Sequence, residues 1–150
     1  MIEDLQQVLA PTRDKSVFDI DRVFASAEKL SKKQNFYPIT RGSHAALILD
    51  GQMEDVSFAE DVGRHNALDK AIGKALMANK LDRAKALVMS SRISYELVQK
   101  AARAKIAVMI SKSRPTAMAV QMGKSLNMTL ACAFEEKKLL ILCGRQRIKH

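Results

Sequence analysis

The stretch ALVMSSRISYELVQKAARAKIAVMIS (86–111) decides the fold. ALVMSS (86–91) and IAVMIS (106–111) are short, continuous apolar runs, the pattern of strands buried on both faces. Between them SYELVQKAARA (94–104) reads as a helix. Apolar strands alternating with helices predict a parallel pair inside an α/β layered domain. Toward the C-terminus, Pro115 is expected to open a further helix, where its missing N–H costs nothing. MTLACAF (128–134) and LLILC (139–143) follow as two strands, an antiparallel edge hairpin around Glu135–Lys138. Toward the N-terminus, Leu68, Ile72 and Leu76, with Ala71 and Ala75 beside them, predict a helix over 66–79. HAALILDGQMEDVSFAED (44–61) reads as two strands around the turn dipeptide Asp50-Gly51. Val23, Phe24, Ala27 and Leu30 have helical spacing, with Asp19 or Asp21 as cap and Ser31-Lys32-Lys33 at the end. Met109, Met118 and Met122 take core-like positions. Residues 1–18 lack a clear period and read as an N-terminal arm or linker; 19–150 read as one domain. The expected fold class is α/β, a layered mixed sheet with helices on both faces.

Composition narrows the function classes. A chain of 150 residues suits one domain with a sizeable core of its own. No apolar run is long enough for a membrane span, and MIEDLQQVLA has no secretory-signal pattern. Cys132 and Cys143 make neither a disulfide framework nor a C-x-x-C pair, and read as reduced thiols of a cytoplasmic protein. The formal net charge of +9 favours an anionic partner, whether nucleic acid, a phosphorylated cofactor or an acidic protein. The cations are spread along the chain, with one dense basic tail, RQRIKH (145–150). Five Phe, two Tyr and no Trp give too few rings for an RNA-stacking platform.

In open α/β sheets ligands bind beyond the carboxyl ends of the strands. Three such ends are polar here: Glu60–Asn66, Ser90–Ser94 and Ser111–Thr116. Each joins a strand to a helix N-terminus, where free N–H groups and the helix dipole favour an anion. Convergence of the three would make a phosphate- or nucleotide-sized pocket. The first is richest: Gly63 permits close backbone approach, and His65 and Asp69, like Asn66 and Lys70, lie four apart on one helix start. His65 with Asp69 could act as an oriented base, but no nucleophile adjoins them. No H-x-E with P-C-x-x-C occurs, so a zinc-deaminase site is not expected. His44 reads as structural.

Three stretches resemble the signature segments of formate dehydrogenase accessory proteins (FdhD): EDVGRHNALDKAIG (60–73), SSRISYELVQKAARA (90–104) and SRPTAMAVQMGKSLNMTL (113–130). RGSHAA (41–46) resembles a fourth. The resemblance runs from about residue 17 to the end. It implies a cytoplasmic protein with a cytidine-deaminase-like fold, typically a homodimer. Such proteins pass sulfur from a cysteine desulfurase to the molybdenum or tungsten bis-molybdopterin guanine dinucleotide cofactor of formate dehydrogenase. By motif position it implies that His65, Asn66, Asp69, Lys70, Arg92, Ser94 and Ser113 line the cofactor site, for which GDP is a mimic. Arg92 and Lys70 would contact phosphates, Asp69 the guanine edge, and His65 would orient the dinucleotide or shuttle a proton.

Two departures shape the expectation. The family's persulfide chemistry needs a C-x-x-C loop upstream of the matched stretches, and these residues contain none. No catalytic residue is therefore assigned, and sulfur transfer by this chain alone is not expected. AFEEKK (133–138) stands where the family carries an aromatic residue and a glycine-containing basic turn. The alternatives are a nucleotide-binding module without transferase activity, a sulfurtransferase using Cys132 or Cys143, and a nucleic-acid binder driven by charge.

Overall fold

A computed structural model describes residues 9–150. Its centre is a six-stranded sheet built from β2 (His44–Leu49), β3 (Asp55–Asp61), β4 (Ala86–Met89), β5 (Val108–Ser111), β6 (Thr129–Phe134) and β7 (Lys138–Cys143). The strand order is β3-β2-β4-β5-β6-β7. β4, β5 and β6 are parallel neighbours, and the pairs β2–β3, β2–β4 and β6–β7 are antiparallel. β3 is therefore codirectional with β4, β5 and β6. Both central runs are buried throughout, as a strand covered on two faces requires.

Helices α3 (Arg64–Met77), α4 (Tyr95–Arg103) and α5 (Ala117–Ser125) connect β3 to β4, β4 to β5 and β5 to β6. All three crossovers step across the sheet in one direction. The right-handed rule for parallel connections then puts all three helices on one face. Their apolar sides meet Ala46, Ile48, Leu87, Met89, Met109 and Leu130 there. The other face carries α1 (Ile20–Lys33), whose Val23, Ala27 and Leu30 pack on Leu47, Val88 and Ile110. Asp19 caps α1, its side chain accepting from the Asp21 N–H at 2.9 Å, and Lys32 and Lys33 fall in its last turn. The layered mixed sheet with helices on both faces is as expected from the sequence. A one-turn helix, α2 (Tyr37–Thr40), lies between α1 and β2.

Several local expectations are corrected. On α3 the buried stripe is Ala67, Leu68, Ala71 and Ala75, while Leu76 is 61% exposed. Each four-residue step advances about 40° round a helix, so the second step from Leu68 carries Leu76 out of the stripe. α3 spans 64–77 rather than 66–79. Pro115 precedes its helix: Thr116 is the cap, accepting from Ala119 N–H, and Met118 turns outward. The β2–β3 connection is longer than a dipeptide turn. Asp50 closes it by accepting from the N–H groups of Gln52 and Glu54, and Met53, not Gly51, takes the left-handed conformation.

Two two-residue strands form a second, small sheet. β1 (Phe18–Asp19) pairs in parallel with β8 (Ile148–Lys149). Thr12 N–H donates to Leu126 O, and Phe18 is buried against α1. The basic tail is not a free tail: Arg147 is 2% exposed. Gly144 makes that turn possible, with φ +70° and space so tight that a Cβ would lie 2.4 Å from Met128 O.

Candidate functional site

Because β3, β4, β5 and β6 are codirectional, the loops 60–66, 90–94 and 111–116 leave the sheet at one edge. Hydrogen bonds tie them together. Thr116 N–H donates to Ile93 O at 3.0 Å, and Lys112 N–H to Met89 O at 3.2 Å. Ser90 bridges toward the first loop: its hydroxyl accepts from Ala45 N–H at 2.9 Å and lies 3.4 Å from His44 Nδ1. His44 is paired in register with Asp61. Burial and the neighbouring Arg64 charge push the His44 pKa below its usual value. The three polar loops thus converge, and the N-termini of α3, α4 and α5 converge with them.

The residues singled out from sequence sort into four groups. Asn66 and Lys70 gather on Asp61: Lys70 Nζ is 2.6 Å from Asp61 Oδ2, and Asn66 Nδ2 is 3.4 Å from Oδ1. The Lys70 ammonium and the Gly63 N–H hold the Asp61 carboxyl down to about 2. His65 and Asp69 face α4 instead. His65 Nε2 lies 3.6 Å from Glu96, and Asp69 takes both oxygens to Lys100 Nζ at 2.7 and 2.8 Å. This is a two-rung ladder, with spacing of four on each helix. Ser94 is the α4 N-cap, accepting from Leu97 N–H. Arg92 and Ser113 are exposed on the converging loops.

Four cations lie on these loops: Arg64, Arg92, Lys112 and Arg114. All four are exposed and form no ion pair among the described residues. Of these, only Arg92 is among the site residues that the family resemblance implies. The signal for the others was their place, each beside the polar end of a codirectional strand. Lys112 Nζ donates to Ser31 Oγ, and Arg114 lies over the Phe134 ring at 5.8 Å. A groove of about 390 Å³ opens beside them on the α1 side, lined by Phe24, Ser31, Lys112, Phe134 and Glu136. A neighbouring hollow of about 600 Å³ shares Lys112 and Phe134 and adds Arg114. Glu135 and Glu136 line both, so the AFEEKK turn sets two carboxylates beside the basic edge.

Neither cysteine is placed as a sulfur carrier. Cys132 is fully buried in β6 and burial pushes its thiol up. Cys143 is half-buried and likewise pushed up, with its Sγ 3.5 Å from Met128 O. A raised pKa suppresses the thiolate that accepts sulfur. Among the described residues no cluster of three His, Cys, Asp or Glu could hold a metal ion.

The domain is thus an open α/β sheet whose strand ends carry exposed cations and three helix N-termini. The comparisons with known proteins give its family. The chain matches the FdhD/NarQ family model over residues 1–149 and belongs to that family. It is 35% identical over 127 residues to the sulfur carrier protein FdhD of Saccharolobus solfataricus, covering 84% of this chain and 49% of that protein. To the protein of the same name from Anaeromyxobacter dehalogenans it is 38% identical over 154 aligned positions, covering 98% and 54%. The chain thus spans about half the length of the curated relatives it matches. A solved structure assigned to a formate dehydrogenase accessory protein from Desulfotalea psychrophila superposes with a TM-score of 0.85 at 22% identity. That match covers 98% of this chain and 61% of the other, and shares the fold.

Proposed function

We propose that this chain is the cofactor-binding part of a formate dehydrogenase maturation protein. In this reading it binds the bis-molybdopterin guanine dinucleotide, carrying molybdenum or tungsten, through its diphosphates and guanines. The observation that carries the reading is the convergence of three polar loops, each with a helix N-terminus, on one edge bearing Arg64, Arg92, Lys112 and Arg114. A guanine dinucleotide is highly anionic, and charge-assisted bonds from Arg and Lys suit its phosphates. Arg92 and Ser113 are exposed on this edge and free to reach a ligand. Lys70 and Asp69 would have to exchange their present partners, Asp61 and Lys100, to do so.

In the same reading, sulfur enters from a cysteine desulfurase through a thiol other than Cys132 and Cys143, whose burial suits packing. The binding step works in the cytoplasm, as a homodimer, on the way to formate dehydrogenase. Among the described residues no helix is long and apolar enough to cross a membrane.

Calorimetric titration of GDP, with ADP as control, tests the binding role. GDP is expected to bind selectively. Equal affinity for ADP, or no binding of either, would remove guanine recognition from this chain.

A further inference from the structure

At the sheet edge opposite the converging loops lies a second basic site. Arg147 anchors it, a cation 2% exposed that is hydrogen-bonded to no carboxylate among the described residues. Its Nε donates to Asp14 O at 3.0 Å, and its Nη1 to Asn127 O at 2.6 Å and Thr129 Oγ1 at 3.2 Å. A guanidinium has five N–H donors. These bonds occupy the Nε and Nη1 donors and leave Nη2 without an acceptor among the described residues. Nη2 is not among the fully enclosed and partnerless side-chain atoms of those residues, which are Ser43 Oγ and Gln99 Nε2. Arg147 instead lines a hollow of about 460 Å³, together with Arg13, Lys15, Asn127 and Gln146.

The hollow's charge is lopsided. Arg13, Lys15 and Arg147 face one carboxylate, Asp14. That carboxylate is already engaged: it accepts from Ser16 N–H at 2.7 Å and sits 3.4 Å from Lys85 Nζ. A desolvated cation needs a counter-charge, because burying one unpaired is costly. Arg13 and Lys15 are exposed and make no ion pair among the described residues. Asn127 and Gln146 line the rim; Asn127 Nδ2 already donates to Thr12 O at 3.0 Å and Gln146 Nε2 to Asn127 Oδ1 at 3.4 Å, and each amide keeps a second N–H. Three cations and two amides around a hollow of this size suit a tetrahedral oxyanion with several acceptor oxygens better than a single carboxylate.

We propose that this hollow binds a phosphate-type oxyanion, either free or carried by a nucleotide, with Arg147, Arg13 and Lys15 as its ligands. The site lies on the residues that join the N-terminal segment, β6 and the C-terminal strand. An anion bound there therefore also ties the two termini to the sheet.

The full chain would be titrated with inorganic phosphate, with acetate at equal ionic strength as control. Arg13→Ala/Lys15→Ala changes exposed side chains only and leaves the Arg147 clamp in place. Arg92→Ala/Arg114→Ala removes cations at the opposite edge. Phosphate should bind more tightly than acetate and weaken at least about tenfold in the first variant, while the binding that the second variant leaves should keep its parent affinity. Arg147→Lys keeps the charge but loses Nη2, and should weaken phosphate with the fold retained by circular dichroism. GDP binding that survives in the second variant and fails in the first would assign a nucleotide phosphate; phosphate binding alone would assign the free ion. No phosphate binding, equal binding of acetate, or loss confined to the Arg92→Ala/Arg114→Ala variant would overturn the proposal.

Discussion

Arg147 shows how one side chain holds distant segments together. It reaches the backbone at Asp14 and Asn127 and the hydroxyl of Thr129, so its loss strands three acceptors near the interior. Arg147→Ala should lower stability by about 2–4 kcal/mol, read as a shift of the urea midpoint. Titratable residues set the acid response. Asp61 is held down to about 2, against an ordinary 3.8. For Asp14 and Asp55, burial alone would raise the carboxyl, but hydrogen bonds and lysine charges outweigh it and leave each lowered. Between the folded and unfolded values, each carboxyl binds fewer protons when folded. Its stabilisation is therefore present above the ordinary 3.8 and is lost as the pH falls through the folded value, which for Asp61 is about 2. His44 adds an earlier step. Its folded pKa lies below the ordinary 6.5, so the unfolded chain takes up this proton first. Stability should therefore begin to fall as the pH drops through 6.5. Melting temperatures across pH 8 to 2 should show both steps, and His44→Asn should abolish only the first.

At the scale of elements, the β6–β7 turn is the place to improve the fold. Glu136 and Lys137 are both left-handed, with φ of 68° and 56°, in a turn that carries no glycine. Glu136→Gly should stabilise the chain by about 0.5–1 kcal/mol in urea unfolding, since glycine reaches that region without a Cβ penalty. It would also remove one carboxylate from the basic edge. Strands and crossover helices were legible in the sequence because burial on both faces leaves continuous apolar runs, as at ALVM (86–89) and VMIS (108–111). Element ends were less so. Pro115 is equally at home before a cap or at the first helical position, and the Thr116 cap decides between them. Leu76 looked like core because spacing of four drifts slowly, and alanines at 67, 71 and 75 carry too little hydrophobicity to reveal the true stripe. The pairing of β1 with β8 left no local signal. Two residues at 18–19 meet two at 148–149, far apart in sequence, and Arg147 resembles a surface cation until its partners are known.

For the whole molecule, a common strand direction and crossover hand explain why three loops scattered over some fifty residues of sequence meet at one edge. The sequence could mark each loop as polar but could not show the convergence, since register and strand order are long-range. It also could not show that Asp69 and Lys70 already have partners: Lys100 comes from another helix, and Asp61 from the strand before. Arg92, exposed and without an ion pair among the described residues, therefore becomes the residue on which binding at this edge rests most heavily. The direct measurement is the GDP affinity of Arg92→Ala against the parent chain, by calorimetry at fixed ionic strength. The expected loss is about 1.5–3 kcal/mol, as for a charge-assisted hydrogen bond removed. An unchanged affinity in a folded variant would contradict it, and would place any guanine nucleotide away from this edge.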